Sequence, residues 1–303
     1  MMRETGKSSV WLEVALNGPW SRDRQPGIPI VASEIVAQAL ACAAQGAAIV
    51  HFHPYDPETG RQRDAYEIYA PILEEIRSKS DVICYGTLPF AGDVDAAVPM
   101  SAAKRYEAVE KLAASGLLEW TVVDPGSTNI STLEELPIGH QGFVYTNPDS
   151  HIRQGLALSE QHGLVPSYAI YEPGFMRLGA ALARCYPRLT KPVYRLMFSD
   201  RLSFGFPPRV WAIDAYLALL QELDGDAAWM VAGLGALIEP LIPEIVCRGG
   251  HVRVGLEDAP FGHPVGNVEQ VAQARSRIEA AGASLATPSQ IRLAMGANGR
   301  GSR

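Results

Sequence analysis

Eight short runs rich in β-branched and aromatic residues alternate along this chain with stretches of helical spacing. The candidate strands are Val10–Asn17, Ala47–His53, Asp81–Thr87, Leu118–Asp124, Ser167–Glu172, Pro192–Ser199, Ala227–Gly233 and Gly250–Glu257. Helical spacing fills the gaps at Glu34–Gln45, Tyr66–Lys79, Ala102–Ser115, His151–His162, Phe175–Cys185, Arg209–Glu222 and Pro240–Cys247, and Asn267–Ala281 closes the series. Alternation of this kind implies parallel strands joined by right-handed crossovers. Eight units within 303 residues suit a closed (β/α)8 TIM barrel, which needs about 250. A doubly wound open sheet is the competing architecture, but no Gly-x-Gly-x-x-Gly follows the first strand. No change of composition marks a second domain, so one barrel is expected over residues 8–295, with 1–7 and 296–303 as frayed ends. Gly142–Thr146 is an extra β-like run, expected as a short strand outside the barrel.

Composition narrows the function. Apolar residues make up 47% of the chain, enough for a large core, but no apolar stretch is long enough to span a bilayer. With no secretory pattern at the N-terminus, a cytoplasmic location is expected. The formal net charge of −7 opposes broad binding to nucleic acid, which needs a basic field. Cys42, Cys84, Cys185 and Cys247 lie far apart with no Cys-x-x-Cys pair, and each is read as a small buried hydrophobe.

The chemistry concentrates at two strand ends. Gly46-Ala-Ala-Ile-Val-His-Phe-His53 is an apolar run ending in two histidines. Side chains alternate across a strand, so His51 and His53 share a face, about 7 Å apart at their Cα atoms, with Phe52 opposite. Pro54 stops the strand, which puts the pair at the C-terminal mouth, where barrel enzymes keep their active sites. A lone histidine is usually a hydrogen-bonded structural residue; two on one face at a strand end favour a divalent metal, zinc first. The second run is Gly249-Gly-His-Val-Arg-Val-Gly-Leu-Glu-Asp258. His251, Arg253, Gly255 and Glu257 share a face, and buried Arg and Glu must pair with something. An interior salt bridge is the plain reading. Glu257 as a third metal ligand is the sharper one, since two histidines, one glutamate and an open position make a common catalytic zinc set. Gly255 leaves room for a substrate to lie against the backbone.

These two runs, extended on one side to Ala48-Ile-Val-His-Phe-His-Pro-Tyr-Asp-Pro-Glu-Thr-Gly-Arg61, resemble the β-keto acid cleavage enzymes. Asp124-Pro-Gly-Ser-Thr-Asn129 is similar to that family's Gly-(Thr/Ser)-x-Asn segment, Trp229-Met-Val-Ala-Gly-Leu-Gly235 to its seventh strand, and Ala286-Thr-Pro-Ser-Gln290 to its C-terminal turn. The resemblance implies a TIM barrel, usually a homotetramer, with one zinc per subunit. It also implies acyl exchange between a β-keto acid and acetyl-CoA, giving acetoacetate and a new acyl-CoA. By motif match, His51, His53 and Glu257 are the zinc ligands, Arg253 and Asp258 the acid–base pair, and Ser127 and Asn129 the holders of the substrate carboxylate. Taken alone, the Ser127–Asn129 loop is an ordinary turn.

Three loops depart from the family's pattern. Leu16-Asn-Gly-Pro-Trp20 follows the first strand, and Trp20 either stacks on a substrate or packs the barrel rim. Tyr85-Gly-Thr-Leu-Pro89 replaces a Thr/Ser-Gly-Gly type segment, leaving Thr87 to supply a hydroxyl. Gly233-Leu-Gly-Ala-Leu-Ile-Glu239 lacks the usual arginine after strand seven, which weakens the case for a CoA phosphate there. Glu172, at the end of the fifth strand, is a candidate for the mouth. Glu13, mid-strand, is expected to be paired inside the barrel or at its base, and Arg201 and Arg209 are candidate anion contacts. Two alternatives remain: a metal-dependent aldolase or lyase without CoA, and a non-catalytic barrel that binds a metal or metabolite.

Overall fold

The computed structural model describes residues 9–89 and 100–296. Apart from Gly296, the segments expected to fray lie outside the described residues. Eight strands form one parallel sheet: β1 (Leu12–Ala15), β2 (Ile49–His51), β3 (Ile83–Tyr85), β4 (Trp120–Val122), β5 (Val165–Ile170), β6 (Val193–Phe198), β7 (Trp229–Gly233) and β8 (His251–Val254). The ladder runs β3-β2-β1-β8-β7-β6-β5-β4, so the last strand pairs with the first, with Arg253 opposite Glu13. The sheet is a nearly closed TIM barrel.

The seam between β3 and β4 carries no ladder. Arg292 bridges its base, donating to Asp81 Oδ1 at 2.8 Å just before β3 and to Glu119 Oε2 at 2.5 Å just before β4. The arginine comes from the terminal helix Pro288–Ala294, which starts at the Ala286–Gln290 segment; Thr287 and Gln290 form a reciprocal cap there at 3.2 and 2.8 Å. Each bond satisfies an amide that the first helical turn leaves without a partner.

Helices cover the outside of the barrel. Ala32–Gln45 buries Ile35, Val36, Ala39 and Cys42 at helical spacing and ends at Gly46, whose φ of 114° suits only glycine. The stretch expected as one helix at Ala102–Ser115 is two, Ala102–Arg105 and Glu107–Ala114. Tyr106 breaks it with a φ, ψ of −97°, 5°, and its buried ring packs against Gly155, where a Cβ would lie 2.4 Å from the phenol oxygen. The Gly142–Thr146 run contains the strand Phe143–Tyr145, outside the barrel as expected; its partner Thr128–Ile130 was not anticipated. Cys42 and Cys84 are buried, whereas Cys185 and Cys247 are exposed, which corrects their reading as core residues. Cys185 lies past the end of the Pro173–Ala183 helix, and Cys247 is one residue, about 100° of helix, round from the buried Val246. No helix among the described residues is long and apolar enough to cross a membrane.

Candidate active site

The ladder stops at His51, yet His53 remains oriented as if it continued. Its amide donates to Asn17 Oδ1 at 2.8 Å, and Asn17 Nδ2 donates to the His53 carbonyl at 3.0 Å, so an amide side chain takes the place of a strand backbone. Both histidines are buried, and Phe52 packs outward against Tyr69. Glu257 arrives from the turn after β8, where Asp258 N and Ala259 N both donate to the Gly255 carbonyl at 3.1 and 3.0 Å. That turn requires glycine at 255. The φ there is 134°, and a Cβ would come within 2.1 Å of the Ala15 carbonyl oxygen. Gly255 therefore lies against β1, which overturns the expectation that it makes room for a substrate.

Glu257 Oε2 lies 3.4 Å from His51 Nε2 and 3.5 Å from His53 Nε2. The three donor atoms fall within 4.8 Å of one another. Nitrogen and oxygen ligands about 2.0–2.2 Å from a tetrahedral ion stand about 3.3–3.6 Å apart, so the two distances from Glu257 Oε2 are those of ligands to one small divalent metal. A second observation agrees. Glu257 Oε2 is buried without a hydrogen-bond partner, while Oε1 accepts from Arg253 Nη2 at 2.6 Å. His53 Nδ1 is tied to Gln62 Oε1 at 2.8 Å, which holds the ring with Nε2 toward the site. Gln62 bonds Asp64 at 2.7 Å, and Asp64 accepts from Tyr69 at 2.9 Å. Burial, with help from Arg253, His53 and Arg195, overrides Glu257 and holds His51 well below the usual imidazole pKa, in the neutral form a metal ligand needs. Burial disfavours a charge on His53 as well, but Glu257 and Gln62 outweigh it and raise its pKa. Burial also opposes the Glu257 charge, yet Arg253, His51 and His53 keep it well below the carboxylate range.

Behind Glu257, Arg253 is surrounded by acids. It grips Asp258 through both oxygens at 2.8 Å and reaches Glu13 Oε1 at 3.2 Å. Burial pushes the Asp258 carboxyl up to about 6, against the pull of Arg253. Glu13 is thus paired inside the barrel. His251, one strand face below, accepts from Trp11 N at 3.2 Å and stacks on that indole at 4.0 Å; burial takes its pKa down to about 3.

A cavity of about 540 Å³ opens above the three candidate ligands. His51, His53, Glu257, Thr87 and Trp20 line it. Arg253 and Asp258 stand one layer behind that wall. The Trp20 indole N–H donates to the Glu257 carbonyl at 2.8 Å and its ring meets Phe261 edge-on at 4.9 Å, so it packs the rim and also faces the cavity. Ser127, Asn129 and Glu172 are not brought to the wall. Ser127 Oγ accepts from Asn147 N at 2.7 Å; Asn129 is exposed on the Thr128–Ile130 strand, whose neighbouring Ile130 turns inward. Glu172 Oε1 accepts from Gly205 N at 3.0 Å and Thr128 Oγ1 at 3.3 Å, bracing two loops. Arg201 lines the rim, 3.5 Å from Glu134, while Arg209 pairs with Asp200 at 3.1 Å away from the cavity wall.

Among the wall residues that escaped the sequence reading are Arg195 and Asp124. Arg195 is central in β6, and Asp124 follows β4, accepting from Tyr145 Oη and from Ala169 N at 3.3 Å. The available signal was a charge inside an otherwise apolar strand run, Val-Tyr-Arg-Leu-Met-Phe.

The sequence profile of the β-keto acid cleavage enzymes matches residues 9–296. The chain belongs to that family. It is accordingly an enzyme of carbon–carbon bond cleavage. It is 26% identical over 278 residues to a 3-dehydrocarnitine:acetyl-CoA trimethylamine transferase of Rhizobium meliloti (strain 1021), covering 88% of each chain. It is 24% identical over 287 residues to a 3,5-dioxohexanoate:acetyl-CoA acetone transferase of Paraburkholderia graminis, again covering 88% of each. Among solved structures, ObcA in complex with oxaloacetate superposes with a TM-score of 0.71 at 16% identity, covering 89% of this chain and 67% of the other, a likeness of fold.

Proposed function

We propose that this cleavage enzyme transfers the CH₂–COO⁻ unit of a β-keto acid to the acetyl group of acetyl-CoA. The bond between C2 and C3 of the keto acid breaks, C2 joins the acetyl carbon, and CoA passes to the remaining acyl group. The products are acetoacetate and a new acyl-CoA. The observation that carries the reading is the convergence of His51, His53 and Glu257 on one point of the cavity wall, in a member of this family.

These three residues would hold zinc. Held by these residues, a divalent ion would supply Lewis acidity that makes the C2 protons of the keto acid more acidic. Asp258 is the proposed base, with both oxygens held by Arg253, which balances the charge that develops as the proton leaves. Thr87 and Trp20 contact the substrate from the rim, and the aromatic packing of Trp20 on Phe261 keeps water from the site. Arg24 and Arg201 on the same rim supply positive charge for the CoA phosphates, compensating for the arginine missing after β7. A cytoplasmic homotetramer is proposed on the family's pattern, and sedimentation equilibrium tests the assembly.

The uncharged Leu234 and Gly235 on the cavity wall favour a second reading, a metal-dependent lyase that releases its products without CoA. One experiment separates the two. The metal-loaded protein is incubated with a panel of β-keto acids, with and without acetyl-CoA, and products are followed by mass spectrometry. Acyl-CoA and acetoacetate formed only in the presence of acetyl-CoA are expected; equal cleavage without it hands the site to the lyase.

A further inference from the structure

We propose that Arg195 holds the carboxylate of the β-keto acid. This rests on the function proposed above and assigns the recognition step within it. Arg195 lies in the middle of β6, is 4% exposed, and lines the cavity with His51, His53 and Glu257. Its Nη1 donates to Tyr85 Oη and to Ser167 Oγ, both at 2.8 Å, which fixes the plane of the guanidinium with two neutral acceptors. Nε has no partner.

Charge is shared unequally between Arg195 and Arg253. Arg253 contacts three carboxylates, those of Glu13, Glu257 and Asp258. The nearest carboxylate oxygen to Arg195 is Glu13 Oε1 at 3.7 Å, and that same atom already accepts from Tyr85 at 2.7 Å and Arg253 at 3.2 Å. Asp124 faces the cavity too, but its oxygens accept from Tyr145 and Ala169. Arg195 is therefore held by neutral acceptors, with no carboxylate of the described residues within hydrogen-bond distance, in a position that burial removes from water. An arginine so placed is best matched by a carboxylate, which can accept two parallel N–H bonds.

The other cations on the wall are less suited. Arg24 is exposed and lies over the Phe261 ring, and Arg201 is half-exposed toward Glu134. Arg195 is also the one beside the ligands: the Tyr85 ring, whose hydroxyl it grips, lies 4.7 Å from the His51 ring. In a β-keto acid the keto oxygen and the carboxylate are one methylene apart, so a single short substrate can meet both. Ser127 and Asn129, off the wall, are replaced in this role.

The test compares acetoacetate with its neutral methyl ester as ligands of zinc-loaded protein, by calorimetry. The wild type is expected to prefer the acid. Arg195→Met is expected to lose about 30-fold in acid affinity, the value of charged hydrogen bonds, while ester affinity stays within about twofold. Arg195→Lys should keep part of the preference, and added guanidinium should restore some of it to Arg195→Met. An acid preference that survives in Arg195→Met overturns the proposal, as does equal loss of acid and ester, the mark of a purely structural arginine. If Arg195→Met does not fold, Arg195→Lys and Arg195→Gln are judged by the same ratio, and an unchanged ratio overturns it. Failure of the wild type to bind either ligand sinks the proposed function together with this assignment. Acid binding indifferent to residue 195 sinks the assignment alone.

Discussion

The cavity has two walls built on different principles. On one side, His51, His53 and Glu257 come from two strand ends and their immediate continuations, and two of them are locked by neighbours: His53 by Asn17 and Gln62, Glu257 by Arg253. On the other, Arg195, Asp124, Tyr145 and Ile130 come from a mid-strand position, a loop and an added hairpin. The first wall is dense with charge, and its three converging donors could hold one ion. The second mixes a buried cation with aromatic and aliphatic surface, the make-up of a wall that selects an organic molecule. Chemistry shared by a family needs the first kind; discrimination among its substrates needs the second.

The sharpest break of this contrast is removal of a ligand. His51→Ala should lose bound zinc by elemental analysis and lower turnover by about a thousandfold or more, because the polarising charge goes with the ion. Turnover with metal intact would end the metal reading. Next in size, Asp258→Asn should keep stoichiometric metal yet slow deuterium exchange at C2 of acetoacetate by about 10²–10⁴-fold. Unchanged exchange would move the base to a residue on the wall itself, Asp124 first. Gln62→Leu touches no ion, but it frees the far nitrogen of His53. Zinc affinity is expected to fall about 10–100-fold in a chelator competition, with KM for the keto acid unmoved at saturating metal. Smallest of all, Ser127→Ala and Asn129→Ala should change KM by less than about threefold, since neither side chain reaches the wall and surface changes cost little. A large rise in KM would return the carboxylate to that loop.

The two walls also differ in how far they could be read from the chain. The histidine pair was legible because strand alternation converts sequence spacing into a shared face; Glu257 was picked out on the same alternation, but the strand ends at Val254 and the turn at Gly255 is what brings it to the site. Barrel closure did the rest, pairing β8 with β1 as expected. The β-like run near residue 143 was visible, but its partner Thr128–Ile130 was not, because three residues with a turn on either side carry little periodicity. Without that hairpin, nothing in the spacing shows that Ser127 would be engaged by Asn147 or that Tyr145 would reach Asp124. Arg195 was passed over for a related reason. A charge within a β-run is normally discounted as paired, and only the three-dimensional count shows that its nearest acid is already shared with two other donors. Gly255 illustrates the opposite error: the residue was correctly singled out, but its missing side chain accommodates the Ala15 carbonyl of a neighbouring strand.

The grip of Arg253 on Glu257 has a bearing on which ions could reside in the cavity. With Oε1 engaged by the guanidinium, the carboxylate can present a single oxygen. Calcium asks for about six to eight oxygens and magnesium for a near-octahedral oxygen shell, and neither finds more than one here among two imidazoles. A smaller ion content with nitrogen and four neighbours loses nothing. Were an ion held there, the two imidazole nitrogens and the single free carboxylate oxygen would favour one that accepts nitrogen at low coordination number over calcium or magnesium.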